Sequence, residues 1–254
     1  MGTLKGKTAL VTGSSRGIGR ATAIRLGREG ALVAVHYANN ADAAKQTLVS
    51  IEAEGGQAFL VQAELGVPGD VDTLYDRLVE GLRERTGTAE LNILVNNAGV
   101  MGGVSPDELT PDQFDRLIAI NAKAPLFLTR RVLAIMPDGG RIINIGTGLL
   151  RYANPDETAY SMSKGALDQL SLHFARLLGP RNITINTVAP GVTNNGSPIF
   201  ENEQAREFMA NMNAFKRIAE PADVGDVVAF LASDDARWIT GSFIDASGGT
   251  LLGG

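Results

Sequence analysis

Tyr160 and Lys164 lie four residues apart in the stretch AYSMSKGAL, Ala159 to Leu167. On a helix that spacing places both side chains on one face. A tyrosine phenol ionises near pH ~10, too high for easy proton exchange near neutrality. An adjacent ammonium favours the phenolate and lowers that pKa. A phenol tuned in this way can give a proton to a reacting oxygen or take one back, which is general acid or base work. Taken alone, the same two residues also describe an ordinary surface pair.

A second group of residues suits phosphate. In VTGSSRGIG, residues 11–19, Gly13, Gly17 and Gly19 are spaced G-x-x-x-G-x-G. Glycines let backbone approach a pyrophosphate, and the start of a following helix supplies oriented N–H groups and partial positive charge. The turn lacks the G-K-[ST] of a nucleotide-hydrolysing loop, so a dinucleotide is the better ligand. A plain tight turn is the competing reading. Its place between the first strand-like and the first helix-like stretch favours the ligand.

These residues need a frame. Apolar runs at 7–13, 31–37, 57–65, 91–99, 140–148, 182–191 and 241–249 read as seven strands. Between them, 17–30, 40–56, 68–87, 111–136, 157–178, 201–213 and 221–233 read as helices, with Asn40 a plausible N-cap and the run from 111 splitting near Asn121. Such alternation predicts a Rossmann-like, doubly wound parallel sheet of seven strands with helices on both faces. No linker or repeat divides residues 1–254, so one domain is expected. Ligands of such sheets sit at the carboxyl ends of the strands, near the switch in strand order.

Composition excludes other classes. The chain has no cysteine, which rules out disulfides and thiolate metal sites, and only two histidines, His36 and His173. No metal is expected, and neither histidine needs a catalytic explanation. The net charge of −5 disfavours nucleic acid and anionic membrane as partners. No apolar run approaches the ~20 residues of a membrane span, and the first residues lack a signal-peptide core. A cytoplasmic location is the resulting expectation.

Four motifs in order resemble those of the short-chain dehydrogenase/reductase family: Thr12–Gly19 its T-G-x-x-x-G-I-G turn, NNAG at 96–99 its fourth-strand motif, Tyr160 to Lys164 its Y-x-x-x-K, and PGVT at 190–193 its sixth-strand segment. They span most of the chain, and the likeness is greatest to the 3-oxoacyl-carrier-protein reductases. The resemblance implies an oxidoreductase that moves a hydride between a nicotinamide cofactor and a ketone or secondary alcohol, and a homotetramer packed through 121–136 and 157–178.

For the cofactor, the resemblance implies contacts from Gly13, Ser15, Arg16, Gly17, Ile18 and Gly19, and from Tyr37 and Asn39 after the second strand. It adds Glu64 and Leu65 at the adenine edge, with Asn96, Asn97, Ala98 and Gly99 on the adenosine side. Pro190, Gly191, Val192 and Thr193 would lie at the nicotinamide, with Tyr160 and Lys164 beside its ribose. A carboxylate near Tyr37 would select NAD(H) by binding the ribose 2′-hydroxyl. None stands at 36–38, while Arg16 can reach a 2′-phosphate. NADP(H) is therefore favoured, with NAD(H) the alternative.

Tyr160 is then the proton donor in reduction. The family carries a serine thirteen residues earlier that holds the carbonyl oxygen, and here Thr147 takes its place, keeping the hydroxyl and adding a methyl. Asn121 matches the asparagine that supports a water beside the lysine. Substrate walls are expected after Gly99 (Val100, Met101), after Thr147 (Leu149, Leu150, Tyr152) and in a lid at 194–215 (Ile199, Phe200, Phe208, Met209, Met212). This apolar set suits an acyl, polyketide-like or cyclic ketone. Arg151 is a candidate anion grip. Two rival readings are an NAD(H)-dependent alcohol, polyol or steroid dehydrogenase and a nucleotide-binding regulator that has lost catalysis.

Overall fold

The structure is a computed structural model in which residues 3–250 are described. Seven parallel strands form one sheet in the order β3-β2-β1-β4-β5-β6-β7. They are β1 (Thr8–Val11), β2 (Leu32–Tyr37), β3 (Gln57–Gln62), β4 (Ile93–Asn96), β5 (Arg141–Ile145), β6 (Thr184–Pro190) and β7 (Phe243–Ala246). The order reverses between β1 and β4, which pair directly. The crevice for a ligand therefore opens above the carboxyl ends of those two strands. The sheet is the predicted one. Each strand is shorter than its run, and for all but β2 the run continues into the turn beyond the strand.

Strand side chains alternate between two cores, as period two requires. Val11, Val33, Val35, Val95 and Ile143 pack with Ala23 and Leu26 of α1 (Gly17–Arg28) and Val224 and Val228 of α8 (Pro221–Ala232). Leu10, Ala34, Leu94, Ile142 and Ile185 pack on the other face. There they meet Leu74 and Leu78 of α3 (Asp70–Thr86), Leu128 of α5 (Ala124–Val132) and Leu167 of α6 (Thr158–Leu178). Burial of each large side chain contributes about 1.5–3 kcal/mol as an upper estimate, enough to hold both helical layers on the sheet. The remaining helices are α2 (Ala41–Ala53), α4 (Pro111–Ile118) and α7 (Glu203–Asn211). Asn40 caps α2 as expected, its side chain accepting from the Ala43 N–H at 2.9 Å.

The helical run after residue 111 differs from the expected break. α4 passes into a π-helical turn, Ala119–Lys123, and then directly into α5. Asn121 sits in that turn, fully buried. π turns persist only where tertiary contacts hold the extra residue, and here Asn121 supplies them. No described helix is long and apolar enough to cross a membrane.

Candidate active site

The glycine turn lies above β1, against the start of α1, and its shape is set by close contacts. Gly13 has a φ of +64°, and a Cβ there would meet the Ala98 Cα at 2.9 Å. A Cβ on Gly19 would lie 2.4 Å from the Gly13 carbonyl oxygen. Only glycine permits this packing, which leaves a cradle at the amino end of α1. Gly17 has φ +55° with open space beside it. The cradle fits a pyrophosphate on geometric grounds.

Its neighbours lock it. The Thr12 hydroxyl accepts from the N–H groups of Asn97 (2.9 Å) and Ala98 (3.0 Å). The Asn97 side chain donates to the carbonyls of Thr12 (2.8 Å) and Gly13 (3.2 Å). From below, Arg20 donates to the Ser15 carbonyl and to Ala43 of α2. Sequence reasoning passed over Thr12 and Arg20 because their work is on backbone carbonyls and amides, which carry no residue signature.

Three residues expected at the cofactor have their side chains engaged within the protein. Asn96 is 2% exposed and points into the protein, donating to Asn144 Oδ1 at 2.8 Å and Thr129 Oγ1 at 3.2 Å. Asn97 acts on the turn through its side chain. The Leu65 side chain is packed in the core on the side of α3 and α5. Of the other residues expected at the adenosine end, Arg16, Asn39 and Glu64 are exposed and Ser15, Ile18 and Tyr37 half-buried. At the far end, Pro190 closes β6. Gly191 packs so tightly that a Cβ would meet the Ser247 carbonyl oxygen at 2.8 Å. Val192 and Asn194 pair with Ala219 through their backbones, which anchors the foot of the 194–215 segment.

Tyr160, Lys164, Thr147 and Asn121 converge between these ends. Tyr160 and Lys164 lie on α6, with the Lys164 Nζ 5.9 Å from the centre of the phenol ring. A Cβ on Gly99 would lie 3.2 Å from the Lys164 Nζ and 3.1 Å from Asn121 Oδ1, so lysine and asparagine meet under that glycine. Asn121 accepts from the Val100 N–H (2.9 Å) and donates to the Val100 carbonyl (2.8 Å) and to Ser163 Oγ (3.0 Å). It thus fastens the loop after β4 to the catalytic helix. Thr147, 7% exposed, accepts from the Leu149 N–H at 3.2 Å. That bond fills one lone pair and leaves the hydroxyl proton free to donate.

The electrostatics differ from the sequence expectation. Burial pushes the Lys164 ammonium down to about 8, and its Nζ donates to the Ile145 carbonyl at 2.7 Å. The Tyr160 phenol is pushed up to about 12. Burial is the largest cause, the charge of Glu157 adds to it, and the Thr147 hydroxyl acts against it. Lys164 is not among the groups that move the phenol, so the expected lowering is absent from the protein by itself. Glu157 escaped the sequence reading. It is buried three residues before Tyr160, burial raises its pKa, and the amides of Gly103 and Gly102 restrain that rise. A carboxyl in a loop ahead of a helix looks like any solvated acid until the fold buries it.

The substrate side is apolar and open. Met101, Ile199 and Phe208 are 62%, 53% and 71% exposed, and no residue of α7 is buried. Ile199 and Phe208 of the 194–215 segment are therefore not spent on the core, while Phe200, Met209 and Met212 are half-buried. Arg151 stacks on the Phe243 ring at 4.5 Å, which occupies the candidate anion grip. No group of three or more histidine, cysteine, aspartate or glutamate side chains that could hold a metal occurs among the described residues.

Comparison with known proteins places these features in a lineage. Residues 13–250 match the family model described as enoyl-(acyl carrier protein) reductase. The versicolorin reductase of Emericella nidulans is 38% identical over 98% of this chain and 97% of its own. The tetrahydroxynaphthalene reductase of Pyricularia oryzae is 35% identical over 98% and 91%. Among solved structures, the angucycline C-6 ketoreductase LanV with bound NADP superposes with a TM-score of 0.97 at 63% identity, covering 99% of this chain and 98% of that one. The reductase LugOII, which catalyses keto-reduction at C1 during lugdunomycin biosynthesis, superposes with a TM-score of 0.97 at 61% identity, covering 98% and 100%.

Proposed function

The chain belongs to the short-chain dehydrogenase/reductase family, and from that premise we propose that it reduces a ketone on a polycyclic aromatic polyketide. It is an NADP(H)-dependent oxidoreductase of the ketoreductase kind. The observation that carries the substrate reading is the exposed apolar surface of Met101 in the loop after β4 and of Ile199 and Phe208 in the 194–215 segment. A second LanV structure holds NADP and rabelomycin together, which supports a flat aromatic ligand at the matching place.

NADPH, when bound along the 13–19 cradle, supplies the hydride. The chain's own residues do the rest. The Thr147 hydroxyl donates to the ketone oxygen and fixes its position. Tyr160 gives its phenolic proton to that oxygen as negative charge grows on it. Lys164, buried and cationic below about pH 8, lies one helical turn away from Tyr160, with its Nζ held by the Ile145 carbonyl. Asn121 holds the loop after β4 against α6, so that Gly99 and Val100 close the site from the side.

Purified protein offered NADPH and a panel of polycyclic ketones should consume NADPH and yield the secondary alcohol. Tight NADPH binding without turnover on any ketone would favour the regulatory reading instead. Cofactor choice has its own test. NADPH should bind more tightly than NADH in a titration of cofactor fluorescence, and Arg16→Ala should narrow the gap. Equal affinities in the parent would remove Arg16 from the 2′-phosphate.

We further propose a cytoplasmic homotetramer. The outer faces of α5 and α6 support it: Phe127, Met162, Leu172 and Leu177 are 41%, 56%, 53% and 64% exposed. Apolar surface of this extent on neighbouring helices calls for a partner. Light scattering at micromolar concentration should give four times the chain mass, and a stable monomer would contradict the assembly.

A further inference from the structure

His36 lies on β2, only 2% exposed, and both of its ring nitrogens are engaged. Nδ1 is 2.9 Å from the Gly13 backbone nitrogen, and Nε2 is 3.0 Å from the Ala63 carbonyl oxygen. An amide can only donate and a carbonyl can only accept. The ring is therefore neutral, bare at Nδ1 and protonated at Nε2. The His36 carbonyl also accepts from the Ser14 N–H at 2.9 Å. One residue thus takes up two successive amides at the start of the glycine turn. The Gly13 and Ser14 amides are thereby spent within the protein. Through Nε2 it also braces the end of β3, next to Glu64.

We propose that His36 is a positioning residue for NADP(H), which in its Nε2–H form holds the glycine turn in the shape that receives the pyrophosphate and ties it to the β3 end of the cofactor groove. This rests on reading residues 13–19 as the cofactor cradle. The assignment fits the close packing at Gly13, where a Cβ would meet the Ala98 Cα at 2.9 Å, so the turn is held tightly where His36 engages it. Burial also pushes the imidazole down to about 4, so the acceptor at Nδ1 persists across the working range. A protonated ring would set an N–H against the N–H of Gly13.

The two nitrogens can be separated by substitution. The side-chain oxygen of asparagine falls near the place of histidine Nδ1, and the side-chain amide nitrogen of glutamine near that of Nε2. His36→Asn keeps the acceptor for Gly13, His36→Gln keeps only the donor for Ala63, and His36→Phe keeps the ring volume with neither. NADPH affinity is read by titrating cofactor fluorescence. An unmet buried amide should weaken binding on the order of tenfold in the Gln and Phe variants, and the Asn variant should stay within about threefold of the parent. The loss should fall on NADPH affinity more than on turnover at saturating NADPH, since His36 touches no reacting atom. Circular dichroism identifies any variant that does not fold. If the Phe variant fails there, the comparison of Asn with Gln still decides.

Parent-like NADPH affinity in the Gln variant, or an Asn variant that binds no better than Gln, would overturn the role. Nitrogen-15 spectra of the ligand-free parent should show His36 protonated at Nε2 alone, and the opposite tautomer would also overturn it. A parent that fails to bind NADPH would instead overturn the cradle reading, while the tautomer would still report the bond to Gly13.

Discussion

Tyr160→Phe is expected to lower turnover of ketone with NADPH by about 10²–10⁴-fold, the usual contribution of a general acid, with NADPH affinity little changed. The substitution removes one oxygen and keeps the ring and the Cβ that lies beside Gly102. In the free protein the phenol is pushed up to about 12, so the proton is present throughout the neutral range. That suits a donor in reduction, where the group must be protonated when the hydride arrives. It is unfavourable for oxidation, where the phenolate must act as base. Glu157 sharpens this bias, since its charge opposes ionisation of the phenol. Single-turnover kinetics with pre-bound NADPH measure the effect. Unchanged turnover in the Phe variant would remove Tyr160 from the chemistry.

The sheet, its strand count and the gathering of Tyr160, Lys164, Thr147 and Asn121 were legible in the sequence. Strand and helix periodicity dictates which segments bury which faces, and the short motifs fall at strand ends where the fold must put them. Asn40 illustrates a local rule that tertiary structure left intact. What was not legible depends on distant partners. The π turn around Asn121 exists because its side chain grips Val100, a residue 21 positions away. His36 reads as a strand residue until its ring is seen between Gly13 and Ala63. Asn96 and Asn97 are adjacent and chemically identical, yet one braces Asn144 across the sheet and the other the glycine turn, as the alternation of strand faces requires. The Tyr160 pKa went the opposite way from the sequence argument, because spacing reveals the neighbour Lys164 and conceals the burial.

Thr147 is the position where the chain departs from the usual serine, and three substitutions there should separate hydroxyl from shape. Its Oγ1 accepts from the Leu149 N–H, which turns the free proton toward the phenol side of the cleft. Thr147→Ser keeps the donor and that local bond, so it should retain most activity. Thr147→Ala removes both. Loss of a comparable oxyanion donor costs about 2.7–4 kcal/mol, or on the order of 10²–10³ in rate. Thr147→Val is the sharper case, since it preserves the branched side chain that fits this buried site and removes only the hydroxyl. A variant with serine well above both alanine and valine, at unchanged NADPH affinity, identifies the hydroxyl as the group that holds the ketone oxygen. The added methyl of threonine restricts χ1, so the donor is held in one direction at little entropic cost. Serine should for that reason bind the ketone somewhat less well, raising KM more than it lowers kcat. Parent-like turnover in the valine variant would leave Tyr160 as the sole donor to that oxygen, and the threonine would then serve only to shape the turn at Gly148–Leu150.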